Sequence, residues 1–153
     1  MVKEILVPLD GSKLAERALA IARDLAGALG ARLTLLRVIA PNAAGEGGEA
    51  QADAETYLRD VAKRLGGSEV TADVRSGDAA PVILAEVEQR GIDLIAMSTH
   101  GRSGIGRWIY GSVADEVVRH APVPVVLVPA TSALREWPTD RPPRLLVSLD
   151  FSP

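Results

Sequence analysis

The sequence runs to 153 residues, 47% apolar and 24% charged, which is the make-up of one soluble globular domain with room for a full core. A net charge of -3 argues against a general nucleic-acid binder, and the absence of cysteine excludes disulfides, thiolate catalysis and cysteine-built zinc sites. The longest apolar runs are strand-sized and Met1-Val2-Lys3-Glu4 carries no apolar signal region, so no membrane span or secretory peptide is expected and a cytoplasmic location is.

Aromatics make up only 3% of the chain, so the core must be built from Val, Leu, Ile and Ala. That suits buried parallel strands under alanine-rich helices. Glu4-Ile5-Leu6-Val7-Pro8-Leu9-Asp10 opens with a nearly continuous apolar run, the pattern of a strand buried on both faces. Pro8 has no N–H for a ladder, so the strand is expected to end there. Asp10-Gly11-Ser12 then reads as a strand-to-helix turn with Ser12 as N-cap. Leu14, Ala18, Ala22, Leu25 and Leu29 recur at helical spacing, and Gly30 is a C-terminal stop. Residues 32–39 form the second expected strand, and residues 40–48 a glycine-bearing connection.

From Glu49 to Leu65 a second helix places Ala50, Ala54, Tyr57, Leu58, Val61 and Leu65 on one face. Residues 69–74 alternate weakly and read as an edge strand. A third helix is expected from Asp78, as cap, to Arg90, with Gly91 closing it. Strand four spans Leu94 to Ser98, and Val123 to Pro129 supplies a fifth. Alternating strands and helices demand a parallel sheet covered on both faces, an open α/β sandwich. Ligands of such sheets lie beyond the carboxyl ends of the strands, where strand order reverses. In a 3-2-1-4-5 order, Asp10 at the end of strand one and Met97-Ser98 at the end of strand four would face one crevice.

Between strand four and its helix lies a glycine-rich, cationic stretch, Thr99-His100-Gly101-Arg102-Ser103-Gly104-Ile105-Gly106-Arg107-Trp108-Ile109-Tyr110. The helix is expected to begin at Gly111-Ser112, with Ser112 as cap and Asp115 completing an S-x-x-D spacing. Backbone N–H groups and the positive end of a helix dipole make this a natural anion cradle, above all for phosphate. Arg119 and His120 fall at the end of the helix where cations are favoured.

These residues resemble the universal stress protein family over residues 2 to about 129. The resemblance is carried by Ile5-Leu6-Val7-Pro8-Leu9-Asp10-Gly11-Ser12, by Gly77-Asp78 with Pro81, and by the closing run from Pro122 to Pro129. Most specific is the family's G-x2-G-x9-G-[S/T] nucleotide signature, matched by Gly101, nine residues, and then Gly111-Ser112. Ser98 stands where the signature has its first glycine, a departure that would strain a left-handed backbone.

The resemblance implies a Rossmann-like fold of the adenine nucleotide alpha hydrolase type, and ATP, with Mg²⁺, as ligand. Adenine would lie near Pro8, Leu9 and the backbone of Val38. Asp10 would serve the ribose or a phosphate-bound Mg²⁺, or else simply organise the turn into helix one. Met97, Ser98, His100 and Gly104 belong to the same implied site. Gly101, Arg102, Gly111, Ser112 and Val113 would line the phosphates. His100 has no partner carboxylate in the motif and is not read as a base. Arg107 is a second loop cation, and Trp108 and Tyr110 are read as packing the loop.

The favoured reading is therefore an ATP-binding stress-response module, not an enzyme, in which slow hydrolysis stays open. Its alternative is a nucleotide-free dimeric interaction module of the same family. An ATP-consuming transferase or hydrolase is disfavoured, since Gly11-Ser12-Lys13 is only a fragment of a P-loop. A homodimer is implied through strand 123–128, an aliphatic edge that needs cover. No nucleic acid or membrane partner is expected. Beyond the domain at 1–130, residues 131–143 read as a proline-bearing linker. Residues 144–153 repeat the opening strand at an offset of 140 and look like the start of a second domain copy, which could cover that edge instead.

Overall fold

A computed structural model describes residues 1–41, 48–66, 69–99 and 111–129. Strands and helices alternate along them: β1 (Glu4–Pro8), α1 (Arg17–Leu29), β2 (Arg32–Ile39), α2 (Glu49–Leu65), β3 (Val70–Ser76), α3 (Ala79–Arg90), β4 (Leu94–Ser98), α4 (Ser112–His120) and β5 (Val125–Val128). The strands form one five-stranded sheet in the order β3-β2-β1-β4-β5, with every neighbouring pair parallel. This is the α/β sandwich and the 3-2-1-4-5 order that the alternation and the resemblance imply. Central β1 is paired on both sides, Ile5 lying opposite Leu33 of β2 and Leu94 of β4. Its Ile5, Leu6 and Val7 are fully buried, each side chain adding about 1.5–3 kcal/mol of transfer free energy to stability.

Successive residues of a strand face opposite sides of the sheet. Ile5, Val7, Leu33 and Leu35 accordingly pack on one side with Ala18, Ala22 and Ala26 of α1 and Leu58 and Val61 of α2. Leu6, Leu36, Ile95 and Met97 pack on the other with Ile83 and Val87 of α3 and Ala114 and Val117 of α4. Small alanines let α1 lie close over the strands. Edge strand β3 is tied to α3 by Arg75 and Arg90, which share the buried carboxylate of Glu86 (2.6 and 2.5 Å) and both reach Asp73.

Several element boundaries differ from the sequence reading. The first helix starts at Arg17 rather than at Ser12, because the chain first winds more tightly. Arg17 and Ala18 donate three residues back, to the carbonyls of Leu14 and Ala15, both at 3.2 Å. Ser12 still caps this turn, its hydroxyl accepting the Ala15 N–H at 3.1 Å. Leu29, expected on the inner face, is exposed; Ala26 takes that side. Asp78 holds the cap position of α3 through its carbonyl, which accepts the Val82 N–H, and its carboxylate makes no capping bond. The cap of α4 is Gly111, not Ser112, so the S-x-x-D spacing is out of register by one residue. Asp115 instead pairs with Arg119 one turn on, at 2.9 Å. Strand β3 runs to Ser76, and β5 begins at Val125, after Pro124 has accepted the Ile95 N–H through its carbonyl. The linker and repeated strand expected at 131–153 lie outside the described residues.

Candidate functional site

At the carboxyl end of the sheet, where β1 and β4 lie side by side and the chain departs in opposite directions, is a cavity of about 220 Å³. Pro8 ends the β1 ladder, but Leu9 keeps the chain beside β2 by donating to the Leu36 carbonyl at 2.8 Å. Gly11, at φ +83°, then reverses the direction, a conformation that glycine adopts without strain. Asp10 closes this turn, its Oδ1 accepting the Ser12 N–H at 2.9 Å. The turn-organising role of Asp10 is thus realised, and the residue lines the cavity as well.

The opposite wall comes from β4 and α4. Thr99 donates its N–H to Val128, and its carbonyl accepts the Gly111 N–H at 2.9 Å. This bond joins the last described residue after β4 to the cap of α4. The first turn of α4 therefore opens onto the cavity, with Ser112 and Val113 among its lining residues. The leading N–H groups of a helix have no intrahelical acceptor, and the dipole adds positive potential there. Since Gly111 is the cap, the Ser112 hydroxyl is not used in capping.

Pro8, Leu9, Asp10, Val38, Met97, Ser98, Gly111, Ser112 and Val113 all line this one cavity. His100, Gly101, Arg102 and Gly104, with Arg107, Trp108 and Tyr110, lie outside the described residues. The lining also includes Ala15, Leu36, Ala79, Ile83, Thr99 and Ala114, which the sequence reading did not single out. Two of these carry a legible signal: Leu36 is two residues before Val38 on the same strand face, and Thr99 directly follows Ser98. Ala79 and Ile83 are one helical turn apart on α3, and only the sheet order brings that turn to β1.

Ser98 is the last residue of β4, paired with Val128. Its backbone is that of a strand, which serine adopts freely, so no left-handed conformation is demanded here. What the serine adds is a side chain in the lining. The walls are otherwise largely aliphatic, from Leu36, Val38, Ile83 and Met97, with Asp10, Ser98, Thr99 and Ser112 as the polar points. Apolar walls with a few convergent polar groups are the usual make-up of a small-molecule site. Among the described residues no group of three or more His, Cys, Asp or Glu could hold a metal ion. No described helix is long and apolar enough to cross a membrane.

The family model described as "Universal stress protein family" matches residues 1–129, which include every strand of the sheet and both walls of the cavity. The chain belongs to the universal stress protein family. A putative universal stress protein of Staphylococcus haemolyticus is 33% identical to this universal stress protein over 138 residues, 82% of this chain and 84% of that one. Universal stress protein UspA of Lactobacillus plantarum superposes with a TM-score of 0.69 at 27% identity, covering 82% of this chain and 97% of its own. A universal stress protein solved in complex with cAMP matches at a TM-score of 0.68 and 25% identity, over 85% of this chain and 98% of that one.

Proposed function

We propose that this universal stress protein binds an adenine nucleotide, ATP in the first place, in the crevice between the ends of β1 and β4, and serves as a cytoplasmic stress-response module. One observation carries the reading: every described residue that the family resemblance assigns to the nucleotide lines a single cavity. The cAMP complex of a related universal stress protein supports the choice of an adenine ligand. The base would lie against Pro8, Leu9 and Val38, and Asp10 would accept from the ribose hydroxyls. The phosphates would meet the N–H groups at the start of α4, the Ser112 hydroxyl and the cations of the 100–110 stretch. A Mg²⁺ ion would arrive with the nucleotide, since among the described residues Asp10 is the one carboxylate lining the cavity and phosphate oxygens would have to complete the ion's shell. The protein acts by binding rather than by turnover.

Calorimetry with Mg-ATP tests this. Wild type is expected to bind, Gly111→Val to abolish binding by placing a branched side chain at the helix cap, and Asp10→Ala to weaken it about tenfold, or ~1.4 kcal/mol. Wild type that stays unliganded at millimolar ATP overturns the proposal. Multiple turnovers per second would require an enzyme instead.

A second reading is a nucleotide-free interaction module, and Ser98 is the residue that favours it, because its side chain takes up room where the family signature has glycine. On either reading β5 is, among the described residues, a sheet edge whose Val125, Val126 and Leu127 are only partly covered. A second copy of the chain, or a tandem domain, would cover it.

A further inference from the structure

Resting on the adenine-nucleotide reading, we propose that Arg37 is a positioning residue of the site: its guanidinium, packed between the Tyr57 ring and Gly11, fixes the β1–α1 turn so that the Asp10 carboxylate faces the nucleotide. Leu36 and Val38 on β2 line the cavity. Arg37, between them, faces the opposite side of the sheet and sets its guanidinium carbon 5.0 Å from the centre of the Tyr57 ring on α2. Its other neighbour is Gly11, so close that a Cβ built there would lie 2.5 Å from Arg37 Nη1. Gly11 joins Asp10, which lines the cavity, to Ser12, whose N–H the Asp10 carboxylate accepts.

A closed circuit braces the turn from behind. The Tyr57 hydroxyl donates to Glu16 at 3.2 Å, and Arg64 donates to the other oxygen of that carboxylate, also at 3.2 Å. Glu16 stands at the cap of α1, five residues after Gly11, so the chain itself closes the ring from turn to helix to Tyr57 to Arg37 and back. Burial and the neighbouring Glu16 carboxylate push the Tyr57 phenol well above its ordinary value, so it stays the donor of this bond even in alkaline solution. A planar guanidinium suits the slot between a ring and a glycine, whereas a lysine ammonium cannot stack there. Glycine at position 11 is required twice over, for its positive φ and for the room that Arg37 occupies.

The test is ATP affinity by calorimetry for wild type, Arg37→Ala, Asp10→Ala and the double variant, with thermal midpoints measured alongside. Arg37→Ala is expected to bind about tenfold more weakly, yet to cost less than twofold in the Asp10→Ala background, because it acts through Asp10. Preference for ATP over 2′,3′-dideoxy-ATP, which a loss of packing alone would leave in place, is expected to fall with Arg37→Ala. If that variant fails to fold, Arg37→Lys and Tyr57→Phe decide, each expected to lose two- to threefold in affinity and part of the ribose preference. Unchanged affinity, or an equal loss with and without Asp10, overturns the role of Arg37 while leaving nucleotide binding standing. Wild type that binds no adenine nucleotide overturns both.

Discussion

The two ends of the sheet are built from the same strands and treat their polar groups in opposite ways. At the amino end Glu4 is largely buried, yet its carboxylate accepts from the Thr34 hydroxyl at 2.6 Å and from Arg32 at 2.8 Å, and Thr34 is also bonded to Thr71. Beside it Asp93 accepts the N–H groups of Lys3 and Glu4, at 2.7 and 3.1 Å, stitching β1 to the start of β4. The polar groups there are matched to one another. At the carboxyl end Asp10, which also accepts the Ser12 N–H, borders a cavity together with Ser112 and the start of α4. A saturated network stabilises, while polar groups arranged around a space can receive a ligand.

Breaking the amino end should therefore affect stability and leave binding alone. Glu4→Ala takes one of its two partners from the buried Thr34 hydroxyl, leaving Thr71, and removes the carboxylate that Arg32 meets, and is expected to cost about 1–2 kcal/mol in a urea titration. Nucleotide affinity measured on the folded variant should match wild type; a parallel loss of affinity would show that the two ends are not separable.

A smaller effect concerns acid. The N–H groups of Lys3 and Glu4 hold the Asp93 carboxyl below its ordinary value of 3.8. Stability from this contact is complete above that ordinary value and is lost as pH falls through the lower folded one. Asp93→Asn should flatten the acid limb of a stability-versus-pH curve without altering nucleotide affinity near pH 7. The smallest change belongs to the other end. Ser98→Gly empties a side chain from the cavity lining and should raise ATP affinity about threefold, with a stability loss of about 0.5–1 kcal/mol for a glycine in a strand. Weaker binding by Ser98→Gly would mean that the hydroxyl is a ligand contact rather than an obstruction.

Most of the fold was legible because strand and helix signals agree along the chain. The limits of β2 and α2 match the sequence reading, since apolar runs and glycine stops bracket both. Helix starts were less legible. A serine after a strand reads as a cap whether the chain winds into an α-helix at once or through a tighter turn, as at Ser12. A glycine immediately before a serine can take over the cap, as Gly111 does for Ser112. Of the described cavity lining, the strand-end residues Pro8, Leu9, Asp10, Val38, Met97 and Ser98 and the residues Gly111, Ser112 and Val113 at the start of α4 were legible. Ala15, Ala79, Ile83 and Ala114 were not, because an aliphatic side chain facing a cavity and one facing the core carry the same sequence signal. Arg37 illustrates the same limit: a charge inside a strand reads as solvated until the fold sets Tyr57 and Gly11 on either side of it.

The hydrogen bond between Thr99 and Gly111 has a consequence for how this fold diversifies. It closes the frame of the domain across residues 100–110, so that stretch is a cassette spliced between two joined posts. Doubling the length of such an insert costs only about 0.6 kcal/mol in closure entropy. A change of length at that point leaves the strands, their register and the start of α4 with their own supports. The length of the connection and the stability of the sheet can then drift at separate rates within one chain.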